Sequence, residues 1–246
     1  MEKEYLGYLT RFEQIGEGAN ADLFIADYKD EICVYKEFRN SQYLKLIQDK
    51  IKKLVSKNIT DSGLILPYKL LYDKKDDEDF ISYLTEYKYK YEPLHEYDCV
   101  SYEKKIKILK KIRTILDRMH NEYKIVHCDL YHDNLLYNDF KEDACIIDFD
   151  TYIDLETKEG YMKNNVDPII ENYIDRDGLD KIDKDIDIYM FNLLCYSFFT
   201  NIRINDALAN IKAKRFDIIN NTNAINILDS YNKGKTLKKE YIIDYL

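Results

Sequence analysis

The chain has 246 residues, of which 46% are hydrophobic and 34% charged, a composition typical of a globular protein with one large domain or two small lobes. Its formal net charge of -9 argues against broad binding to nucleic acids or anionic membranes. No apolar run approaches the roughly 18–20 residues that cross a bilayer, and the N-terminal sequence lacks the apolar core of a secretory signal, so we expect a cytoplasmic protein.

The first part of the chain has the alternating pattern of β-strands. Apolar residues occupy every second position in DLFIADY and EICVYKEF, so residues 12–38 predict strand, glycine-containing turn, strand, turn and strand. A helical spacing of apolar residues follows from Leu44 to Val55, with Ser41 as the predicted N-cap. The runs LILPYKLLYD and DFISYLTEYK predict two further strands around the acidic turn KKDDED. We therefore expect a β-rich layer with one helix.

From Ser101 onward the periodicity becomes helical. The run SYEKKIKILKKIRTILDRMHNEY predicts a long amphipathic helix, and DIDIYMFNLLCYSFF predicts a buried one. Between them lie short apolar runs, KIVH, NLLY and ACIIDFD, and residues 201–246 carry weaker helical patterns. The predicted fold class is α+β with two lobes in a single domain, a β-rich N-terminal lobe with one helix at residues 1–88 and a mainly helical C-terminal lobe at residues 89–246.

The stretch IVHCDLYHDNLL concentrates polar side chains between apolar runs and therefore predicts a site. Its residue types allow a zinc site formed by His127, Cys128 and His132, although their spacing matches no common ligand pattern. They also allow a Cys–His nucleophile pair, although adjacency in sequence does not provide hydrogen-bond geometry.

A third interpretation uses the spacing of Asp129, Asn134 and Asp148. One aspartate that meets a hydroxyl proton, together with an asparagine and a second aspartate directed at a metal, is the set that phosphoryl transfer from a magnesium nucleotide requires. Carboxylate and amide oxygens are suitable ligands for Mg²⁺, which bridges to phosphates. This spacing favours a phosphotransferase.

With these motifs the sequence resembles the protein-kinase-like superfamily. HCDLYHDN resembles the catalytic loop H-x-D-L-x-x-x-N, and DFD stands where the family has D-F-G. IGEGANADLF resembles the glycine-rich loop, CVYKEF the strand of the V-A-I-K lysine, and DIDIYMFNLL the buried helix after the activation segment. These pieces follow the family's order over roughly 190 residues, and the resemblance implies a two-lobed protein-kinase-like fold.

The resemblance also implies ATP and Mg²⁺ as cofactors and gives roles to particular residues. Lys36 would bind the α- and β-phosphates, and Asp129 would orient the acceptor hydroxyl or accept its proton. Asn134 and Asp148 would bind magnesium. His127 is expected to support the loop rather than to take part in the reaction.

The same resemblance predicts the contacts to the rest of the nucleotide. Gly16 and Gly18 would let backbone N–H groups approach the phosphates, and Ala21 stands in place of the third glycine. The backbone of Glu86 and Lys88, in the connector between the lobes, would bind adenine.

Two departures from the family pattern concern activation. The helix after Lys36 should offer a glutamate to pair with it, but the sequence has none between residues 38 and 63. A helical wheel instead predicts that Gln48 faces inward, so that either Lys36 is held less firmly or another carboxylate serves. Cys128 replaces the arginine that meets a phosphorylated activation loop, which predicts activity independent of such phosphorylation.

Further departures concern the acceptor. Tyr131 replaces the lysine of Ser/Thr protein kinases, and Asp150 replaces the family glycine, as in small-molecule kinases related to aminoglycoside and choline kinases. In contrast, the DIYMFNLL helix, with Asp187 as its predicted anchor, is closer to protein kinases. The segment VDPIIE, with Pro168 and Glu171, resembles the A-P-E element loosely.

The expected function is therefore that of a minimal Ser/Thr protein kinase. A small-molecule kinase is one alternative, and a pseudokinase that serves as a nucleotide-binding interaction module is another, motivated by Gln48 and Ala21. The expected partners are ATP and an unknown protein or small-molecule hydroxyl acceptor, with no nucleic acid and no membrane.

Overall fold

The structure is a computed structural model, and it describes residues 3–18, 20–74, 77–157, 173, 183–216, 219–232, 235 and 237–246. The segment VDPIIE, with Pro168 and Glu171, lies outside these residues. The chain divides into two compact units, an N-terminal unit of Met1–Lys90 with Ile147–Asp150 and a C-terminal unit of Tyr91–Ile146 with Thr151–Leu246. Within the N-terminal unit, Asp148 and Asp150 of this short segment form ion pairs with Lys36.

The N-terminal unit contains a six-stranded sheet in the order β1-β5-β6-β4-β3-β2. All neighbours are antiparallel except β1 and β5, which are parallel. The predicted series of strands and turns up to Phe38 is confirmed, as are the two later strands. The strands are β1 Glu4–Tyr5, β2 Leu9–Glu17, β3 Ala21–Tyr28, β4 Glu31–Phe38, β5 Lys69–Tyr72 and β6 Ser82–Glu86.

The two faces of this sheet differ in burial because side chains alternate along each strand. One face carries a closely packed apolar cluster, against which Leu6, Leu9 and Phe24 pack. The members of that cluster are Ala26, Tyr28, Cys33, Tyr35, Leu71 and Leu84. On β4, Lys36 lies between Tyr35 and Glu37, so its side chain points to the other face.

Helix α1, Leu44–Ser56, buries Ile47, Ile51 and Leu54, as its sequence period predicts. The predicted N-cap is wrong. The helix begins after Tyr43, which makes no side-chain cap, and the Ser41 carbonyl oxygen accepts a hydrogen bond from the Leu44 backbone N–H at 3.1 Å. The Ser41 hydroxyl is buried without a hydrogen bond to the described residues. Ser41 therefore belongs to a turn that precedes the helix, and its side chain does not cap the helix.

The C-terminal unit contains the predicted long helix and the predicted buried helix. The Ser101 hydroxyl caps the first by accepting a hydrogen bond from Lys104 N, and all residues of the second except Thr200 are buried. The second helix ends at Asn201, whose left-handed backbone (φ 53°) is typical of a helix C-terminus. The helices are α2 Tyr102–Asn121, α3 Asp185–Thr200, α4 Ile204–Lys212 and α5 Thr222–Asp229.

Short strands connect the helices of this unit. They form a three-stranded sheet, β10-β9-β7, and a separate pair, β11-β8. The predicted apolar runs KIVH, NLLY and ACIID thus contribute strands, and the polar stretch with Asp129 connects β8 to β9. The strands are β7 Glu92–Pro93, β8 Ile125–Val126, β9 Leu135–Asn138, β10 Asp143–Ile146 and β11 Ile153–Asp154.

The described residues thus form an α+β protein with a strand-rich N-terminal sheet, as the sequence predicted at this level. Within the described part of the chain, no helix combines the length and the apolar character that a membrane span requires.

Candidate active site

Lys36 lies in a row of residues that crosses the N-terminal sheet from strand to strand. The pairing register places Leu23 and Tyr83 directly opposite Lys36 on its two neighbouring strands, and it places Gly16 opposite Leu23 and Leu70 opposite Tyr83. Directly paired residues point to the same face of a sheet. The predicted glycine and the predicted lysine therefore share one row, two strands apart.

The Lys36 ammonium is buried between two carboxylates. Its Nζ lies 2.7 Å from Asp148 Oδ1 and 2.9 Å from Asp150 Oδ2. The other oxygen of Asp150, Oδ1, accepts a hydrogen bond from the Tyr83 hydroxyl at 2.8 Å. Because Tyr83 is the cross-strand neighbour of Lys36, the register of the sheet brings both partners of Asp150 together.

Burial and charge act in opposite directions on these groups. Burial alone would lower the pKa of Lys36, but Asp148 and Asp150 outweigh this effect and hold the pKa well above its ordinary value. Burial raises the pKa of Asp150, as does the nearby Asp148 carboxylate, against the lowering by Lys36. Burial and the Asp150 carboxylate raise the pKa of Tyr83. The two carboxylates therefore favour the charged form of Lys36 in this cluster.

Asp148 and Asp150 differ in their access to solvent. The side chain of Asp148 is 35% exposed, whereas that of Asp150 is 11% exposed. The backbone of Asp148 is left-handed (φ 61°), a conformation that costs a non-glycine residue roughly 1 kcal/mol or more. The more exposed of the two aspartates, Asp148, is therefore also the one with a strained backbone.

The prediction that Gln48 faces inward is confirmed, since its side chain is buried. Its hydrogen bond goes to a different partner than Lys36: the amide nitrogen of Gln48 donates to the carbonyl oxygen of Phe80. Lys45 and Lys52 of the same helix bind Asp79, the residue before Phe80. Helix α1 is thus attached to the turn before β6, and the carboxylates beside Lys36 are those of Asp148 and Asp150.

The turn between β2 and β3 carries the predicted glycines. Gly18 N donates to Ala21 O at 2.8 Å, which closes the turn. A Cβ on Gly16 or Gly18 would meet only ordinary contacts, at 3.5 Å or more, so packing within this unit does not require glycine at either position. Room for a ligand beside the backbone is one reason for a glycine that packing does not demand.

Arg39, which no sequence motif indicated, stabilises this turn. Its guanidinium binds Asp22 through two nitrogens, at 2.6 and 3.1 Å, and Glu17 at 2.6 Å. It also donates to the Gly18 carbonyl oxygen at 3.2 Å. Arginine with several acceptors in fixed positions restricts the turn more than one hydrogen bond would.

Glu86 and Lys88, the predicted adenine-binding positions, lie at and after the end of β6. Their side chains form an ion pair at 2.8 Å. Glu86 also lines a cavity of about 980 Å³ together with Ile32, Tyr68 and the segment of residues 58–67, and neither Lys36 nor Asp148 lines it. Binding of adenine to this backbone stays a prediction.

In the C-terminal unit, Asp129 and Asn134 are in direct contact. The Asn134 side-chain nitrogen donates to the Asp129 carbonyl oxygen at 2.9 Å and to Asp129 Oδ2 at 3.0 Å. Both hydrogen bonds use the amide nitrogen, and the side-chain oxygen of Asn134 remains as its acceptor group. The predicted catalytic aspartate is therefore fixed by the predicted metal ligand.

Asp187, which the sequence predicted as the anchor of the DIYMFNLL helix, binds the backbone of the loop that carries Asp129. Its carboxylate, which is entirely buried, accepts hydrogen bonds from the backbone N–H groups of His127 (2.8 Å) and Cys128 (2.9 Å). The same carboxylate lies 2.8 Å from His120 Nε2. Cys128 has a left-handed backbone (φ 66°), and this anchor holds it there.

His127 supports the loop, as expected. It is entirely buried, and its Nδ1 accepts a hydrogen bond from Asp129 N at 3.2 Å. Its carbonyl oxygen accepts a hydrogen bond from the Thr151 hydroxyl. In the described part of the chain, no three or more His, Cys, Asp or Glu side chains form a group that could hold a metal ion, which argues against the zinc interpretation.

The predicted residues thus fall into two sets. Lys36 and Asp148 meet in the N-terminal unit, and Asp129 and Asn134 meet in the C-terminal unit. Asp150 and Tyr83 complete the first set. From the sequence, Asp150 was noted only as a replacement for a glycine, because nothing in its local pattern indicates a partner on a distant strand.

Comparison with known proteins adds no assignment. No protein-family model matches the sequence. No curated protein matches it either.

Proposed function

We propose that this protein is an ATP- and Mg²⁺-dependent phosphotransferase with a two-lobed protein-kinase-like fold. The observation that carries the proposal is the ion pair between Lys36 and Asp148, 2.7 Å long and 112 positions apart in the chain. The sequence motifs selected each of these residues separately, one as a phosphate-binding lysine and the other as a metal-binding aspartate. A chance match of motifs gives no reason for the two side chains to meet.

A cation of this kind suits phosphate binding. Lys36 is buried beside two carboxylates that raise its pKa, and it would present its ammonium group to the α- and β-phosphates of ATP. The glycine-containing turn ends the strand β2 in the same sheet, and it would bring backbone N–H groups to the phosphates. Arg39 would limit the motion of that turn.

The oxygen donors suit magnesium. Mg²⁺ is bound in proteins through one or two carboxylates together with substrate phosphates, and does not need a cage of protein ligands. Asp148 has a partly exposed carboxylate, and Asn134 has a side-chain oxygen as its acceptor group. These two residues would hold the metal, which would offset the charge of the phosphates when bound.

Asp129 would act on the acceptor hydroxyl. Its side chain is oriented by Asn134, and its loop is anchored through the backbone to the buried Asp187. A carboxylate held in this way can orient a hydroxyl and accept its proton as the phosphoryl group is transferred. The groups of the protein would thus contribute by positioning and electrostatics rather than by forming a covalent intermediate.

We propose a serine or threonine of a protein as the acceptor, because the buried helix α3 with its anchor Asp187 follows the pattern that the resemblance associates with protein kinases. A small-molecule alcohol is the alternative, since small-molecule kinases also lack the lysine that Tyr131 replaces and often have the IIDFD pattern that contains Asp150. The pseudokinase alternative was motivated by Gln48, which offers no carboxylate to Lys36, and by Ala21 in place of a glycine. Asp150 is a carboxylate beside Lys36 and weakens the first of these two motives.

The test is release of ADP from Mg-ATP by the purified protein, with generic protein acceptors and with small alcohols in separate reactions. We expect acceptor-dependent ADP release that stops when EDTA removes the metal. Asp129→Asn should reduce the rate by about 10²- to 10⁴-fold, because the hydroxyl loses its proton acceptor, while nucleotide binding is retained.

A matched control is Asp139→Asn, which makes the same chemical change at an exposed aspartate of the same unit that pairs with Lys104. It should leave the rate unchanged. If the wild-type protein binds ATP but releases no ADP with any acceptor, it is a nucleotide-binding module; if Asp129→Asn turns over normally, the catalytic assignment is wrong.

A further inference from the structure

The carboxylate that would position a phosphate-binding lysine lies, in this chain, on the segment after β10 rather than on α1. The Lys36 ammonium has two carboxylate partners, at 2.7 Å and 2.9 Å, whereas the polar residues that α1 buries, Gln48 and Lys50, carry no carboxylate. Gln48 binds Phe80 O and carries no charge. A residue outside α1 can therefore take the position beside Lys36 that a helix glutamate would occupy.

Only one of the two partners is suited to hold Lys36 while a nucleotide is bound. Asp148 is the predicted metal ligand, and the carboxylate of its partly exposed side chain would bind Mg²⁺. Asp150 is buried, with Oδ2 on Lys36 and Oδ1 on the Tyr83 hydroxyl. Both of its oxygens are thus directed by residues of the N-terminal sheet.

The sheet itself fixes this arrangement. Lys36 and Tyr83 are directly paired on β4 and β6, and Lys36 Nζ lies 5.8 Å from the centre of the Tyr83 ring. Tyr83 also packs edge-on against Phe38, with ring centres 5.5 Å apart. A carboxylate bound to neighbouring side chains on a rigid sheet has little freedom to move, which is what a positioning group requires.

We infer that Asp150 is the positioning residue for Lys36: it holds the ammonium in place for the nucleotide phosphates and leaves Asp148 available to the metal. This inference rests on the proposed function and assigns to the third residue of the DFD motif a role that the α1 helix does not fill. It predicts that α1 is not the element that sets the position of Lys36.

The first experiment measures nucleotide affinity by the fluorescence of a labelled ADP, with Mg²⁺ and with EDTA. Asp150→Asn should weaken binding by about 10- to 100-fold in both conditions, because a loosely held lysine misplaces its charge. Asn keeps the shape of the side chain and an acceptor for the Tyr83 hydroxyl, so the fold should be retained. Asp148→Asn should weaken binding mainly where Mg²⁺ is present.

The second experiment is a double-mutant cycle with Lys36→Met. If Asp150 acts through Lys36, Asp150→Asn should change affinity by less than about twofold once the lysine is absent. A merely structural role would give the same factor in both backgrounds, and that result would overturn the inference. Tyr83→Phe, which removes one of the two bonds that direct Asp150, should weaken binding in the same direction by a few-fold.

The control is Asp79→Asn, which removes an aspartate of the same unit that pairs with two lysines, Lys45 and Lys52. It should bind nucleotide as the wild type does. If the wild-type protein binds no nucleotide, the proposed function itself fails. If the wild type binds and turns over while Asp150→Asn matches it, only the positioning role of Asp150 is refuted.

Discussion

At the scale of single residues, the Asp187 carboxylate makes three contacts, which connect α3 to the loop of Asp129 and to α2. Two of them are hydrogen bonds from buried backbone N–H groups, and the third involves His120 of α2. A buried N–H group without an acceptor costs about 1–3 kcal/mol. Asp187 therefore contributes to the stability of the C-terminal unit and also fixes the position of the loop.

We predict that Asp187→Ala lowers the free energy of unfolding by roughly 3–5 kcal/mol, because it leaves the N–H groups of His127 and Cys128 without an acceptor. Urea unfolding followed by circular dichroism measures the change. The control Asp139→Ala, at an exposed ion pair, should cost no more than about 0.5 kcal/mol. A loss below about 1 kcal/mol for Asp187→Ala would mean that the loop is held by other contacts.

The sequence allowed the prediction of individual residues where a motif or a helical period defines them. Lys36 and Asp148 were selected by motif, and the inward face of Gln48 follows from its position on a helical wheel. The partner of Gln48 and the role of Asp150 could not be predicted, because each depends on the register of a distant strand. That register brings Tyr83 beside Lys36.

At the scale of elements, the edge strand β1 is held to the sheet by more than its pairing with β5. The Glu4 carboxylate accepts a hydrogen bond from the Tyr28 hydroxyl at 2.7 Å, and it lies 2.6 Å from Lys29 Nζ and 3.4 Å from Lys69 Nζ. The bonds from Lys29 and Tyr28 lower the pKa of Glu4 to about 2.

A lowered carboxylate pKa gives stability that is present above the unfolded-state value, near 4.5, and is lost as the pH falls toward 2. We predict that Glu4→Gln destabilises the protein by about 1 kcal/mol at pH 7, a value that allows for solvent screening of this partly exposed group. The difference from the wild type should shrink between pH 4.5 and pH 2.

Thermal unfolding of both proteins across this pH range tests the prediction, with Glu13→Gln on the exposed side of β2 as the control. A destabilisation by Glu4→Gln that stays constant down to pH 2 would show that the carboxylate charge is not its cause.

Long elements, which repeat their apolar pattern several times, could be predicted from the sequence, and very short elements could not. The 20 residues of α2 and the 16 of α3 provide several turns of consistent pattern. The two-residue strands β1 and β8 carry no period of their own and form only because a partner strand is present. The start of α1 was misplaced because a serine in a turn has the same sequence pattern as a serine cap.

At the scale of the whole molecule, the change from alternating to helical periodicity near Ser101 predicted two parts of different character. The sequence pattern did not predict that Ile147–Asp150 belong to the N-terminal unit. The segment follows β10 of the C-terminal unit in sequence, and two of its side chains pair with Lys36 on β4 of the N-terminal unit. Contacts between residues so far apart in the chain leave no periodic pattern in the local sequence.

The measurement that tests the central claim most directly is a single-turnover experiment with labelled Mg-ATP, which records nucleotide binding and phosphoryl transfer separately. We predict transfer by the wild type, weakened binding by Lys36→Met, and binding without transfer by Asp129→Asn. Wild-type protein that transfers no phosphoryl group, or variants that transfer it at the wild-type rate, would contradict the assignment as a phosphotransferase.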